Sequence, residues 1–203
     1  MKIFCVGRNY AEHARELGNE IPDDPVIFMK PKSALLQPHT PFYYPAFTNE
    51  LHYEAELVLH ICKNGKYIQE EHASRYYDSM TVGIDFTARD LQQQLKQKGL
   101  PWEKAKAWDQ SAVVGKFMPI EAGMKMNDIN FCLYKNKGLV QMGNTSQMIY
   151  GFDFLVSHIS QFFSLNIGDL IFTGTPKGVG ECVVGDILEG FLEDESVFEL
   201  EVK

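Results

Sequence analysis

An α+β domain with β-rich mixed sheets and a largely antiparallel, barrel-like core is what this sequence predicts, on three observations. Apolar runs of strand length, punctuated by Gly, Asn and Pro turns, occupy most of the chain. Helical stretches are few, and they do not alternate with strands regularly enough for a doubly wound parallel sheet. With 203 residues, 45% of them hydrophobic and 23% charged, the chain has the size and composition of one ordinary domain with a full core. A single domain over residues 1–203 is expected, with residues 1–45 as a small N-terminal appendage because its prolines limit regular structure.

The elements follow in order. "KIFCVGRNY" reads as a short strand breaking at Gly7, after which Asn9 is placed to cap a helix through "YAEHAREL" that Gly18 ends. A turn-rich loop leads to the strand "VIFMK" and then to a proline-rich irregular stretch from Pro31 to Pro45. "LHYEAELVLHI" has strand character throughout, and Asn64-Gly65 behind it is a hairpin signal. A helix over "EHASRYYD" and a strand over "SMTVGIDF" come next. Thr87 is then placed to cap the helix "ARDLQQQLKQK", with Asp90 at its third position and Gly99 and Pro101 as the stop. "INFCLYKNKGLVQMG" reads as a hairpin turning at Asn136 to Gly138, and "GFDFLVSHISQFF" as a helix. The units "IGDLIFTGTP" and "VGDILEGFLE" are each a Gly-Asp turn feeding an apolar strand.

Charge and cysteines exclude several classes. A net charge of −8 lacks the basic footprint that phosphate neutralisation needs, so no nucleic-acid partner is expected. No apolar run approaches membrane-spanning length, and the start at "KIFCVG" gives no expectation of a signal peptide. Cys5, Cys62, Cys132 and Cys182 lie far apart in apolar contexts, without metal or redox spacing, which suggests reduced thiols and a cytoplasmic location.

Chemistry is suggested first by the acids of "LHYEAELVLHI". At a period of two, Leu51, Tyr53, Ala55, Leu57, Leu59 and Ile61 share one face, while His52, Glu54, Glu56, Val58 and His60 share the other. That pattern fits the solvated outer face of an antiparallel sheet; it also fits two carboxylates side by side, able to grip one hard cation. Asp85, an acid inside the apolar strand "MTVGIDF", is either a helix cap or a third ligand. Together Glu54, Glu56 and Asp85 form a hard oxygen set that favours magnesium, manganese or calcium over zinc.

The blocks "CVGRNYAEHARELG", "FMKPKSAL", "LHYEAELVL", "DFTARDLQ", "KGLPWEKAKAWD" and "GDLIFTGTPKGVG" span nearly the whole chain. In that order they resemble the fumarylacetoacetate hydrolase family, within it the acylpyruvase and oxaloacetate decarboxylase branch. The resemblance implies the fold of that family's C-terminal domain, usually in a homodimer, with Glu54, Glu56 and Asp85 binding Mg2+ or Mn2+ and Ca2+ as a substitute. Ile84, where many members have Asn, and Ala105, where many have Gly, depart from the family pattern.

His13 and Glu16, three apart on the first helix, are otherwise an ordinary surface pair. By the resemblance they lie on a lid that closes over the metal, with His13 as general base and Glu16 orienting its ring. Lys106, a residue type usually solvated, is implied to offset charge on a forming enolate. Arg89 and Gln92 share a helix face; Arg89 suits a substrate carboxylate but equally Asp90 or Glu103. Thr175 follows a strand end where a hydroxyl can meet a carboxylate. Arg8, Lys30 and Asn9 are weaker candidates from the same blocks; Arg8 suits a positive charge at the mouth but equally a capping or scaffold role. The implied substrate is a small 2-oxo acid, an acylpyruvate to be hydrolysed or oxaloacetate to be decarboxylated; an isomerase or hydratase of unsaturated 2-oxo dicarboxylates and a noncatalytic binder of metal and dicarboxylate are the rivals.

Overall fold

A computed structural model describes residues 1–12, 23–38 and 40–203. Along the chain, β1 (Ile3–Gly7) and β2 (Val26–Lys30) are followed by β3 (Leu51–Tyr53), β4 (Ala55–Ile61), β5 (Tyr77–Asp85) and β6 (Thr87–Ala88). Helices α1 (Arg89–Gln97) and α2 (Glu103–Lys106) lead to β7 (Ala112–Val114), β8 (Met118–Pro119), β9 (Asn130–Lys135) and β10 (Gly138–Asn144). After α3 (Phe152–Phe162) come β11 (Leu170–Phe172), β12 (Gly180–Glu181), β13 (Ile187–Leu192) and β14 (Glu195–Glu201).

The result is the expected β-rich mixed fold. A curled seven-stranded sheet runs β2-β1-β11-β4-β5-β7, with β8 also on β5; a four-stranded sheet runs β10-β9-β13-β14; a three-stranded one runs β12-β3-β6. Both faces of the large sheet are covered. Phe4, Leu57, Leu59 and Val82 pack with Leu155 and Ile159 of α3, while Ile3, Cys5, Val58 and Phe172 pack on the reverse side. A further core of Leu51, Ile84, Phe86, Leu133 and Leu188 joins the three sheets. β1 lies inside the large sheet, hydrogen-bonded to β2 on one side and parallel to β11 on the other, so the first residues are joined to the main body by ladder bonds.

Several local expectations hold. The hairpin between β9 and β10 turns at Asn136 and Lys137, both with positive φ (52° and 68°), as a two-residue turn of primed type requires. In both Gly-Asp units the aspartate side chain accepts the N–H three residues upstream: Asp169 from Asn166 and Asp186 from Val183, each with a positive-φ glycine just before it.

Others are corrected. The acidic face of "LHYEAELVLHI" is not solvated: Glu54, Glu56 and Val58 are buried, and the strand is interrupted at Glu54, where the chain passes from the small sheet to the large one. Asn64-Gly65 makes no hairpin; Asn64 Oδ1 accepts the N–H of Ile167, and Gly65 bridges Leu165. A Cβ on Gly65 would come within 2.4 Å of the Tyr76 ring, so close packing explains this glycine. The helix expected over "EHASRYYD" is a 3₁₀ segment, Glu70–Arg75; Tyr77 already alternates into the core as a strand residue.

Asn9 caps nothing. Its amide donates to the Thr173 and Tyr150 carbonyls (2.8 and 3.0 Å) and accepts the Tyr150 N–H (2.8 Å). Thr87 does not cap α1 either, because it is paired in β6 and its hydroxyl accepts from Lys106; Asp90 instead accepts from Thr48 and Asn49. The expected lid helix, with His13 and Glu16, lies outside the described residues apart from Ala11 and Glu12.

Candidate active site

The three acids are brought together by strand register. β4 and β5 pair antiparallel with Glu56 opposite Gly83 and Ala55 opposite Ile84, and the Asp85 N–H closes on the Glu54 carbonyl at 2.9 Å. Glu54 and Asp85 are therefore neighbours across the sheet's end, with Glu56 one pleat below. Gly83 leaves room for β5 between its neighbours: a Cβ there would lie 2.4 Å from the Val113 carbonyl oxygen of β7 and 2.8 Å from the Val58 side chain of β4. One carboxylate oxygen from each of Glu54, Glu56 and Asp85 lies within 4.8 Å of the other two.

Cations surround this cluster. Lys106, at the end of α2, donates to Glu54 Oε2 (2.7 Å), Asp85 Oδ2 (2.7 Å) and Thr87 Oγ1 (2.6 Å). Burial pushes its ammonium down, but Asp85 and Glu54 outweigh burial and hold it up at about 12. Arg89 opens α1 and donates to Glu54 (2.6 Å), Gln92 (2.7 Å) and His52 (3.3 Å), so its partners are neither Asp90 nor Glu103. Lys30, fully buried at the end of β2, sits 2.8 Å from Asp85 Oδ1 and donates to Ser111 Oγ and the Lys106 carbonyl.

Glu56 differs from its neighbours. Its described bond is from the Gly174 N–H at 2.7 Å, and no described cation forms an ion pair with it. Burial, then the Asp85 and Glu54 charges, push its carboxyl well above the usual carboxylate range. Asp85 Oδ1 is buried without a hydrogen bond, its contact with Lys30 being an ion-pair distance only. Three converging buried carboxylates, one without an ion pair among the described residues and one with an oxygen that has an ion pair but no hydrogen bond, fit a hard divalent ion, whose charge would offset their repulsion.

The far wall comes from the parallel pair β1–β11. Because Cys5 lies opposite Phe172, the chain leaves the sheet at Gly7–Arg8 and at Thr173–Thr175 side by side. Arg8 has φ 61° and Gly174 φ 104°, and a Cβ on Gly174 would lie 2.7 Å from that of Asn9. One pocket is lined by Arg8, Glu54, Glu56, Asp85, Arg89, Gln92, Lys106 and Thr175; of the described candidates only Asn9 and Lys30 lie outside its lining. Phe28, Lys96 and Trp102 also line it, and the sequence pattern did not mark them. Lys96 carries a signal only in three dimensions: burial, then Arg89 and Arg8, push its ammonium down.

Comparison with known proteins places the chain in a family. The family model for the fumarylacetoacetate hydrolase C-terminal domain matches residues 2–203. The mitochondrial oxaloacetate tautomerase of Bos taurus is 40% identical over 187 residues, 92% of this chain and 85% of the relative. The mitochondrial oxaloacetate decarboxylase of Dictyostelium discoideum is 40% identical over 189 residues, 93% and 87% of the two chains. Among solved structures, fumarylpyruvate hydrolase from Pseudomonas aeruginosa, in complex with Mn2+ and pyruvate, superposes with a TM-score of 0.93 at 36% identity, covering 100% of this chain and 89% of that one. With the match running from the first strand to the last and the acid cluster at its centre, the chain belongs to the fumarylacetoacetate hydrolase family.

Proposed function

We propose that this chain is a divalent-metal-dependent enzyme of short 2-oxo acids that hydrolyses the carbon–carbon bond of acylpyruvates. The observation that carries the reading is the convergence of Glu54, Glu56 and Asp85 in a pocket whose other polar walls are cations and neutral donors. These carboxylates would hold Mg2+ or Mn2+, with Ca2+ as a substitute. Bound there, the ion supplies a Lewis acid that polarises the substrate's oxygens.

The chain's own residues do the rest. The Thr175 hydroxyl and the Arg8 guanidinium receive the carboxylate of the 2-oxo acid, with Arg89 and Gln92 closing the opposite side. Lys106 Nζ, fixed among the acids, offsets the negative charge that develops on the keto oxygen as the bond breaks. His13 takes a proton from the attacking water at a ring nitrogen, and Glu16 orients that ring. Water adds across the bond: the acyl group departs as a carboxylic acid, and the pyruvate enolate carbon takes up a proton.

A second reading, oxaloacetate decarboxylation or its keto–enol conversion, is favoured by the names of the relatives at 40% identity. Neither reaction needs an attacking water. The deciding experiment assays acetylpyruvate, oxaloacetate and an unsaturated 2-oxo dicarboxylate side by side, after chelation and again with Mg2+ or Mn2+. Metal-restored hydrolysis that His13→Ala abolishes is the expected result. Turnover of oxaloacetate alone, untouched by His13→Ala, would establish the second reading. Isomerisation of the unsaturated acid, or saturable oxalate binding with no turnover at all, would replace both.

A further inference from the structure

Behind the pocket, outside every lining residue, lies Gln141. It sits in β10, at the edge of the four-stranded sheet, and points inward with 2% of its surface exposed. Its amide joins two walls of the site. Oε1 accepts the N–H of Ala55, the residue between Glu54 and Glu56, at 2.9 Å. Nε2 donates to Thr175 Oγ1 at 2.9 Å and to the Pro176 carbonyl at 3.0 Å.

The orientation of this amide is determined twice over. A backbone N–H only donates, so the group facing Ala55 is the oxygen; a carbonyl only accepts, so the group facing Pro176 is the nitrogen. Thr175 Oγ1 is therefore an acceptor toward Gln141, and its own hydrogen must be directed elsewhere. Among the described residues its one other partner is the Pro176 carbonyl at 3.5 Å, the outer limit of a hydrogen bond. The loop has little room to rearrange, since a Cβ on Gly178 would lie 2.5 Å from the Val140 carbonyl oxygen and one on Gly143 3.0 Å from Pro176.

We infer that Gln141 is a positioning residue that sets the polarity of the Thr175 hydroxyl, keeping it a hydrogen-bond donor toward the carboxylate of the 2-oxo acid. A hydroxyl free to rotate presents a lone pair as readily as a hydrogen, and a lone pair repels an anion. Occupying that lone pair from behind removes the wrong orientation before the substrate arrives. The inference rests on the reading that Thr175 receives the substrate carboxylate.

The test is a double-mutant cycle of Gln141→Met and Thr175→Val, reading oxalate binding by calorimetry with Mg2+ present. A hydrogen bond to a charged group changes affinity by about ten-fold or more, which is the loss expected of Thr175→Val; Gln141→Met leaves that bond available but unoriented, so it should weaken oxalate by about three-fold or more and by less than Thr175→Val does. In the Thr175→Val background the same change should have less than about a two-fold effect. With the acid that the enzyme turns over, KM should rise while kcat stays within about two-fold, because the contact is made equally before and during reaction. Equal losses in both backgrounds, or no loss in either, overturn the inference. Normal oxalate binding by Thr175→Val removes the reading beneath it as well, whereas a loss there with none in Gln141→Met sinks this inference alone. Should Gln141→Met not fold, Gln141→Glu keeps the acceptor for Ala55 and accepts from the Thr175 hydroxyl, turning its hydrogen away. Oxalate binding within about two-fold of the parent in that variant is equally fatal.

Discussion

Replacing Lys30 by methionine would keep a side chain of similar length in β2 and remove the ammonium beside Asp85 Oδ1. Asp85 would be left with Lys106 alone, and the Ser111 hydroxyl would keep only its bond to the Lys106 carbonyl. Breaking a buried ion pair from one side costs about 3–5 kcal/mol, and denaturant titration of Lys30→Met should show a loss in that range. Lys30 stands at the end of an apolar strand, and neither composition nor spacing separates it from a solvated lysine; only the fold shows that no water reaches it. Glu54 and Glu56 were more legible, since two acids inside a strand pattern are unusual enough to ask for a partner. What the pattern left open was whether they face water, because alternation is the same for a half-exposed sheet and for one covered on both sides.

At the scale of elements, β5 packed between β4 and β7 leaves no room for a side chain at position 83. Gly83→Ala should destabilise the protein by about 1–3 kcal/mol in chemical denaturation, as overpacking at a backbone contact does, and should lower metal-dependent activity with it. A contrasting case is the β9–β10 turn, where Lys137 holds φ 68°. Lys137→Gly should raise the denaturation midpoint slightly, by about 0.5 kcal/mol, the relief of a left-handed conformation less the entropy of glycine. Strands, the hairpin at Asn136, α3 and the two Gly-Asp turns were readable because their signals are local. Asn64-Gly65, Asn9 and Thr87 misled for one reason: each has the residue type of a turn or cap, but spends its polar groups on partners more than 15 residues away in Ile167, Thr173 and Lys106. Short-range chemistry cannot anticipate such bonds.

For the molecule as a whole, the proposed metal site predicts that stability depends on metal. Chelation should lower the melting temperature, and Mg2+ or Mn2+ should restore it, with about 2.7 kcal/mol gained at a free concentration one hundred times Kd. Glu56→Gln should abolish that gain; an unchanged metal-dependent shift in differential scanning would contradict the assigned ligand set. Acid sensitivity has a separate source. Burial pushes the Asp186 carboxyl up, but the Val183 N–H, the Asn136 amide and Lys135 outweigh it and hold it below its ordinary value of 3.8. The unfolded chain then binds the proton more tightly than the folded one, so this contribution is complete above 3.8 and is lost as pH falls toward the folded value. Asp186→Asn should flatten the acid-unfolding profile in that window while lowering stability at neutral pH.

The parallel contact of β1 with β11 also has a consequence during biosynthesis. Asn9 and Thr173, which meet there, are 164 residues apart, roughly 8–33 s of ribosomal elongation. Throughout that interval β1 can hydrogen-bond to β2 but must wait for its other neighbour, leaving an apolar strand edge open to any chaperone or sticky nascent chain nearby. No N-terminal fragment ending before Thr175 contains the complete pocket lining, so a polypeptide terminated short of it is expected to lack the proposed activity.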